Sequence, residues 1–140
     1  MENCQLCLIP KNESYRLIKE NNSAFSCIIL EPLIDSHILV LPKDHIKSLN
    51  DLTEKESKDF LSLIEEMNKI LKNKFNEDPI TIMNHGKHST QEHLHFHMLT
   101  TKGGIRNFMS TYLNCPERKK LSPEELKNLA DNIKSFIDKS

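Results

Sequence analysis

The sequence predicts an α+β fold, with an antiparallel β-sheet of about five strands, one long central helix and a C-terminal helix. The predicted order is strand, strand, strand, helix, strand, strand, helix, which lacks the strict alternation of a parallel doubly wound sheet. Five segments have the residue pattern of strands, and two have helical periodicity with capping signals. A length of 140 residues fits one domain of ordinary size, so we expect residues 1–140 to form a single domain.

The predicted strands are short segments rich in β-branched and aromatic residues. Pro32 and Pro42 mark the ends of the second and third strands. The five segments are residues 15–19, 24–30, 36–41, 80–84 and 92–100.

The two predicted helices begin with strong capping signals. Thr53 and Glu56 form a capping-box pattern, and apolar residues then recur at helical spacing over about residues 53–75. Ser122 is a suitable N-cap for a second helix over about residues 122–138, with Pro123 at its first position and Glu125 completing the box.

Composition excludes several classes of partner. The formal net charge is -1 and the chain has no basic stripe, so we expect no nucleic acid partner. No apolar run approaches the roughly 18 residues of a membrane span, and residues 1–4 lack a signal-peptide pattern, so we expect no membrane association and a cytoplasmic location. Four cysteines in a cytosolic protein indicate reduced thiols or metal ligands.

Three histidines alternate with apolar residues in the last predicted strand. His93, His95 and His97 share one face of that strand, and the apolar residues between them share the core-facing side. The histidine face is therefore expected to meet solvent, a ligand or a metal. Two interpretations of this face stay open at this point. The strand could be half-exposed and carry polar residues without a function, or the histidines themselves could bind a hydrolytic zinc ion.

Cys4 and Cys7 have the spacing of half a zinc site, and the chain has no second cysteine pair to complete it. A tetrahedral site would need histidines, and His45 lies just past a predicted strand end. Two free thiols on an N-terminal loop are the alternative. A thioredoxin-like redox pair is disfavoured because no clear helix begins at Cys4.

Taken together, these motifs resemble the histidine triad (HIT) superfamily. His93-Leu-His-Phe-His-Met-Leu99 matches the superfamily's alternating histidine and apolar signature. His37-Ile-Leu-Val-Leu-Pro-Lys-Asp-His45 is similar to its upstream segment, and Asn84-His-Gly86 to its turn. The run Ser89-Thr-Gln-Glu-His-Leu-His95 is similar to that of diadenosine polyphosphate hydrolases and phosphorylases.

The resemblance implies an enzyme that attacks the α-phosphate of AMP-type substrates such as dinucleoside polyphosphates and nucleoside phosphoramidates. His95 would be the nucleophile and form a covalent nucleotidyl-histidine, because neutral imidazole attacks and departs readily near pH 7. The carbonyl of His93 would hold the ring, and His97 would donate to phosphate oxygens. Three further residues would add neutral donors around the phosphate, although plain turn chemistry is the alternative for each of them. These are Asn84, Ser89 and Thr90.

The resemblance also implies a structural zinc ion and a homodimer. The zinc ligands would be Cys4, Cys7, His45 and His93, which leaves His95 and His97 free for phosphate. In the dimer, the long helix and one strand would form the interface. The competing function is a zinc-stabilised nucleotide-binding or regulatory module without significant turnover.

Departures from the pattern concern the substrate pocket. Ser36 stands where the superfamily usually has glycine, and Thr100-Thr-Lys102 replaces a frequent Pro-Arg. Glu31 is the candidate to bind ribose hydroxyls, with a solvated strand-end carboxylate as the alternative. His37 is expected to line the nucleotide pocket, with a packed strand histidine as the alternative. His85 and His88 are interpreted as loop residues without a role.

Overall fold

A five-stranded antiparallel sheet forms the centre of the molecule, in the order β1-β2-β3-β5-β4. The computed structural model describes residues 4–84, 92–116 and 118–137. The strands are β1 (Leu17–Glu20), β2 (Ala24–Ile28), β3 (Ile38–Pro42), β4 (Pro79–Asn84) and β5 (His95–Thr100). Together with the helices they confirm the predicted α+β class. In the described part of the chain, no helix combines the length and hydrophobicity needed to cross a bilayer.

The long helix α2 (Glu54–Phe75) covers one face of the sheet. Its capping box is formed as predicted, because Thr53 accepts from the Glu56 N–H and the Glu56 side chain accepts from the Thr53 N–H. The helix buries an apolar stripe against alternate residues of the strands. The buried helical residues are Phe60, Leu63, Met67 and Leu71.

The opposite face of the sheet is covered by the N-terminal segment, which contains the short helix α1 (Ile9–Asn12). Ile9 packs in a second core with Phe25 and Leu41 of the sheet. Paired residues on antiparallel strands point to the same side, and Leu39 pairs with His97. The histidines of β5 therefore face the N-terminal segment rather than open solvent.

Two helices, α1 and α3 (Gly104–Tyr112), were not predicted, and some element boundaries differ from the predicted ones. Gly103 is the N-cap of α3 and Gly104 is its first residue, and their positive φ angles of 79° and 65° suit residues without a Cβ. Strand β5 begins at His95 rather than at residue 92, because the preceding Leu94 N–H donates to the carbonyl of Ile46.

The C-terminal helix α4 (Pro123–Lys134) has the predicted capping box between Ser122 and Glu125. It ends earlier than the predicted residue 138, which lies outside the described residues. Its apolar side chains are exposed, including Leu126 and Leu129. The helix therefore contributes nothing to the two cores.

Candidate active site and metal centre

His95 is buried at the start of β5, and its tautomer is fixed by a backbone acceptor. Its Nδ1–H donates to the carbonyl oxygen of His93 over 2.6 Å. A carbonyl only accepts, so the proton must lie on Nδ1 and the Nε2 lone pair is free. Burial lowers the pKa of His95, which keeps the ring neutral at pH 7 although the bond to His93 opposes this shift. His95 therefore presents a neutral, oriented nitrogen to the cavity that it lines.

A chain of hydrogen bonds fixes the tautomer of His97 in the same way. The Leu33 N–H donates to Nδ1 of His37 over 3.2 Å, so the proton of His37 lies on Nε2. That Nε2–H is 2.9 Å from Nδ1 of His97, which must accept. The remaining proton of His97 therefore lies on its Nε2. Burial lowers the pKa of His97 to about 4 and also lowers that of His37, so both rings are neutral at pH 7.

The two β5 histidines open into a cavity of about 820 Å³ between the sheet and the N-terminal segment. The apolar residues Ile9 and Leu39 line it, together with the polar residue Glu31. Its volume suits a nucleotide-sized ligand. The free Nε2 of His95 can attack an electrophilic group in this cavity. The Nε2–H of His97 can donate a hydrogen bond to an anionic oxygen of the same group.

The side chains of Cys4, Cys7, His45 and His93 converge beside the start of β5. Their four possible ligand atoms lie within 4.8 Å of one another. Nδ1 of His93 is 3.5 Å from Cys4 Sγ and 3.3 Å from Cys7 Sγ, and Nδ1 of His45 is 3.3 Å from Cys7 Sγ. This cluster could hold one metal ion, as the sequence pattern predicted.

The protonation of His93 also suits a metal ligand. Its Nε2 is 2.9 Å from the carbonyl oxygen of Pro42, so the proton lies on Nε2 and the Nδ1 lone pair faces the sulfurs. Burial lowers the pKa of His93 to about 4, so the ring is neutral at pH 7. Burial raises the pKa of the Cys7 thiol, and the neighbouring Cys4 raises it further. A divalent cation at this position would offset that penalty on the thiolate.

The remaining predicted residues have different outcomes. Glu31 is exposed and lines the cavity, which leaves both of its interpretations open. His37 does not appear among the lining residues in the described part of the chain. It lies behind His97 and is hydrogen-bonded to it, so the His37 side chain can affect the cavity through His97. Asn84 ends β4 opposite His95, and its side chain is outside what the structure describes. Four further residues lie outside the described residues: His85, His88, Ser89 and Thr90.

The N-terminal wall of the cavity was not predicted from the sequence. Glu13 and Arg16 belong to this wall, as does Ile9. Pro10, at the first turn of α1, was an available signal for a helix start. No local pattern indicates that this segment packs over β5, because the contact joins distant parts of the chain.

Comparison with known proteins agrees with this geometry. Residues 10–104 match the HIT domain family. An adenosine 5′-monophosphoramidase of Candida albicans is 30% identical over 108 residues, covering 71% of this chain and 70% of that protein. A bis(5′-adenosyl)-triphosphatase of Dictyostelium discoideum is 32% identical over 82 residues, covering 56% of this chain and 55% of that protein.

The crystal structure of a HIT family member from Bacillus subtilis has the same fold, with a TM-score of 0.72 and 20% identity. That alignment covers 96% of this chain and 97% of the other. The family match spans more than half of the chain and contains the triad residues. The chain therefore belongs to the HIT domain family.

Proposed function

We propose that this protein is a nucleotide hydrolase or nucleotidyl transferase that attacks the α-phosphate of AMP-type substrates, with His95 as nucleophile. The observation that carries the proposal is the bare Nε2 of His95, held toward the cavity by the bond from Nδ1–H to the His93 carbonyl. The names of the two relatives support the substrate class, since one is a phosphoramidase and the other a dinucleoside triphosphatase.

The proposed reaction has two displacement steps at phosphorus. In the first, the Nε2 lone pair of His95 forms an N–P bond, and the bond from phosphorus to the leaving group breaks with its electron pair. In the second, an oxygen of water or of another acceptor forms a bond to phosphorus, and His95 departs with the N–P electron pair. When the acceptor is water, its proton passes to solvent, and the displaced group takes up a proton from solvent. The Nε2–H of His97 donates to a phosphate oxygen, where charge develops. Asn84, Ser89 and Thr90 would add neutral donors.

We further propose that Cys4, Cys7, His45 and His93 hold a structural zinc ion. With metal–ligand distances of about 2.3 Å to sulfur and about 2.0 Å to nitrogen, tetrahedral geometry separates sulfur and nitrogen by roughly 3.5 Å. The sulfur–nitrogen distances of 3.3, 3.3 and 3.5 Å fit that value. All four positions come from the protein, so the ion would supply folding energy and no reaction step.

Two further proposals concern assembly and location. Exposed Leu61 and Ile70 on α2 and exposed Met83 on the edge strand β4 support a homodimer through these elements. Sedimentation should then give about twice the chain mass of 16.3 kDa, whereas a single chain mass would contradict the dimer. The single-domain organisation and the cytoplasmic location stay predictions.

One experiment separates the enzyme from a nucleotide-binding module. Purified protein is incubated with adenosine 5′-phosphoramidate and with diadenosine triphosphate, and AMP release is followed by chromatography. We expect turnover that His95→Asn abolishes, and an adenylylated protein that is trapped only when His95 is present. The quench is alkaline detergent, because the N–P bond of a nucleotidyl-histidine hydrolyses in acid. Unchanged melting temperature and metal content of His95→Asn provide the folding control. Tight AMP binding without turnover on either substrate would favour the binding module instead.

A further inference from the structure

An ion pair between a buried arginine and a partly exposed glutamate lies in the N-terminal wall of the cavity. The side chain of Arg16 is 7% exposed; its Nε–H donates to the Ile28 carbonyl over 3.1 Å, and its Nη1 donates to Oε2 of Glu13 over 2.9 Å. Both residues line the same cavity as His95. A buried arginine that is fixed by two acceptors has little freedom to reorient.

The pair leaves donors and an acceptor unused. Within the described residues, Nη2 of Arg16 and Oε1 of Glu13 have no hydrogen-bond partner, and no buried side-chain nitrogen or oxygen lacks one. Both atoms therefore keep access to solvent, and the cavity is the space that both residues line. The wall of the cavity therefore offers an N–H donor of Arg16 next to a carboxylate acceptor of Glu13.

The position of the pair suits the base of a bound nucleotide. A nucleotide with its α-phosphate at His95 would occupy the same cavity, whose lining also includes Glu31 and, from the N-terminal segment, Glu13 and Arg16. Apolar side chains such as Ile9 and Leu30 line the same cavity and can contact the faces of a planar base. The only charged side chains remaining there for a base edge are those of Glu13 and Arg16, within the described lining.

We propose that Glu13 and Arg16 select a 6-aminopurine over a 6-oxopurine. The carboxylate of Glu13 accepts from the exocyclic N6–H of adenine, and the guanidinium of Arg16 donates to the neighbouring ring nitrogen. A 6-oxopurine in the same orientation places an acceptor oxygen against the carboxylate, which leaves both groups unpaired. This inference rests on the proposed nucleotide function and adds the residues that read the base.

The test compares adenosine with inosine, which differ at the 6-position. Dissociation constants of AMP and IMP are measured by calorimetry, and kcat/KM is measured with adenosine and inosine 5′-phosphoramidates. We expect the wild-type protein to prefer the adenosine compound by about 10- to 100-fold, since one base contact of this kind discriminates to that extent. In Glu13→Gln the ratio should fall below about threefold, because the amide can donate to O6 as well as accept.

Glu66→Gln is the matched control, since Glu66 pairs with Lys19 and does not line the cavity described here. It should retain the wild-type ratio. Equal binding of AMP and IMP by the wild-type protein, or an unchanged ratio in Glu13→Gln, would overturn the inference. Selective AMP binding without turnover would refute the proposed catalysis and support the base contact. Turnover of both substrates at equal rates would refute only the base contact, and absence of nucleotide binding would overturn both.

Discussion

The hydrogen-bond chain behind His97 predicts that His37 controls the active-site tautomer without touching substrate. The Leu33 N–H donates to Nδ1 of His37, so the proton of His37 lies on Nε2. That Nε2–H donates to Nδ1 of His97 over a nitrogen–nitrogen distance of 2.9 Å. The informative perturbation is a pair of substitutions. His37→Met keeps an elongated, apolar side chain and removes the donor, whereas His37→Gln retains an amide N–H in place of Nε2–H.

The hydrogen bond between His37 and His97 sets the size of the expected loss in kcat/KM. Removal of the donor leaves Nδ1 of His97 without its partner in a partly buried position, which costs about 1–3 kcal/mol. It also permits the alternative tautomer, in which the cavity receives a lone pair instead of an N–H. Because 1.4 kcal/mol corresponds to about tenfold in rate, kcat/KM should fall by about 5- to 150-fold in His37→Met. His37→Gln should recover most of that loss.

The assay joins kinetics to a direct measurement of the tautomer. Imidazole ¹⁵N chemical shifts of His97 report which nitrogen carries the proton, and should indicate Nε2–H in the wild-type protein and a mixture in His37→Met. Metal content and melting temperature control for global damage. Two results would refute the reasoning: an Nδ1–H tautomer of His97 in the wild-type protein, or wild-type kinetics in His37→Met despite a changed tautomer.

Three further predictions concern stability. The variant Cys4→Ser Cys7→Ser should lose stoichiometric zinc by elemental analysis and melt at a lower temperature; retained zinc would contradict the proposed site. Ser36→Ala should lower the free energy of unfolding by about 1–3 kcal/mol in urea titrations, since Ser36 Oγ accepts from the buried Thr100 N–H and contacts Thr100 Oγ1; equal stability would contradict this. The pKa of His97 in the folded protein, about 4, lies below its ordinary value of 6.5, so the unfolded chain binds more protons between these values. Stability should therefore fall as pH drops from 7 to 5, by at most about 1.4 kcal/mol per pH unit for this partly exposed ring. His97→Gln should reduce that slope, and a slope equal to the wild-type value would contradict the assignment.

Local signals in the sequence predicted most of the fold. The capping box of Thr53 and Glu56 depends on residues three apart, so the start of α2 can be recognised without tertiary information. The alternation of histidine and apolar residues over 93–98 likewise predicted that Leu94 and Met98 enter the core, and both are fully buried. In contrast, α3 was overlooked although Phe108 lies on an apolar helical face, because no side-chain cap marks its start at Gly103.

The candidate site was predictable where its residues belong to motifs that the family resemblance covers, which include the four residues of the metal cluster. The bond from His95 to the His93 carbonyl joins residues two apart and follows from the resemblance. The position of His37 behind His97 depends on the Leu33 N–H in a neighbouring loop, which no sequence pattern specifies. The contribution of Glu13 and Arg16 to the cavity depends on the N-terminal segment packing over the sheet, a long-range contact that spacing cannot reveal.

His93 links the candidate metal centre to the candidate nucleophile. Its side chain lies at the metal centre, and its backbone carbonyl accepts from His95. Its side chain is fixed twice, by the Pro42 carbonyl at Nε2 and by the cysteine sulfurs near Nδ1. The N–H of the next residue donates to the Ile46 carbonyl, which fixes the following peptide. These restraints determine where the His93 carbonyl points, and that carbonyl alone sets the tautomer of His95 in the described structure. A structural metal would therefore act on catalysis through orientation: its loss would release the carbonyl, allow both tautomers of His95 and reduce the population in which Nε2 can attack.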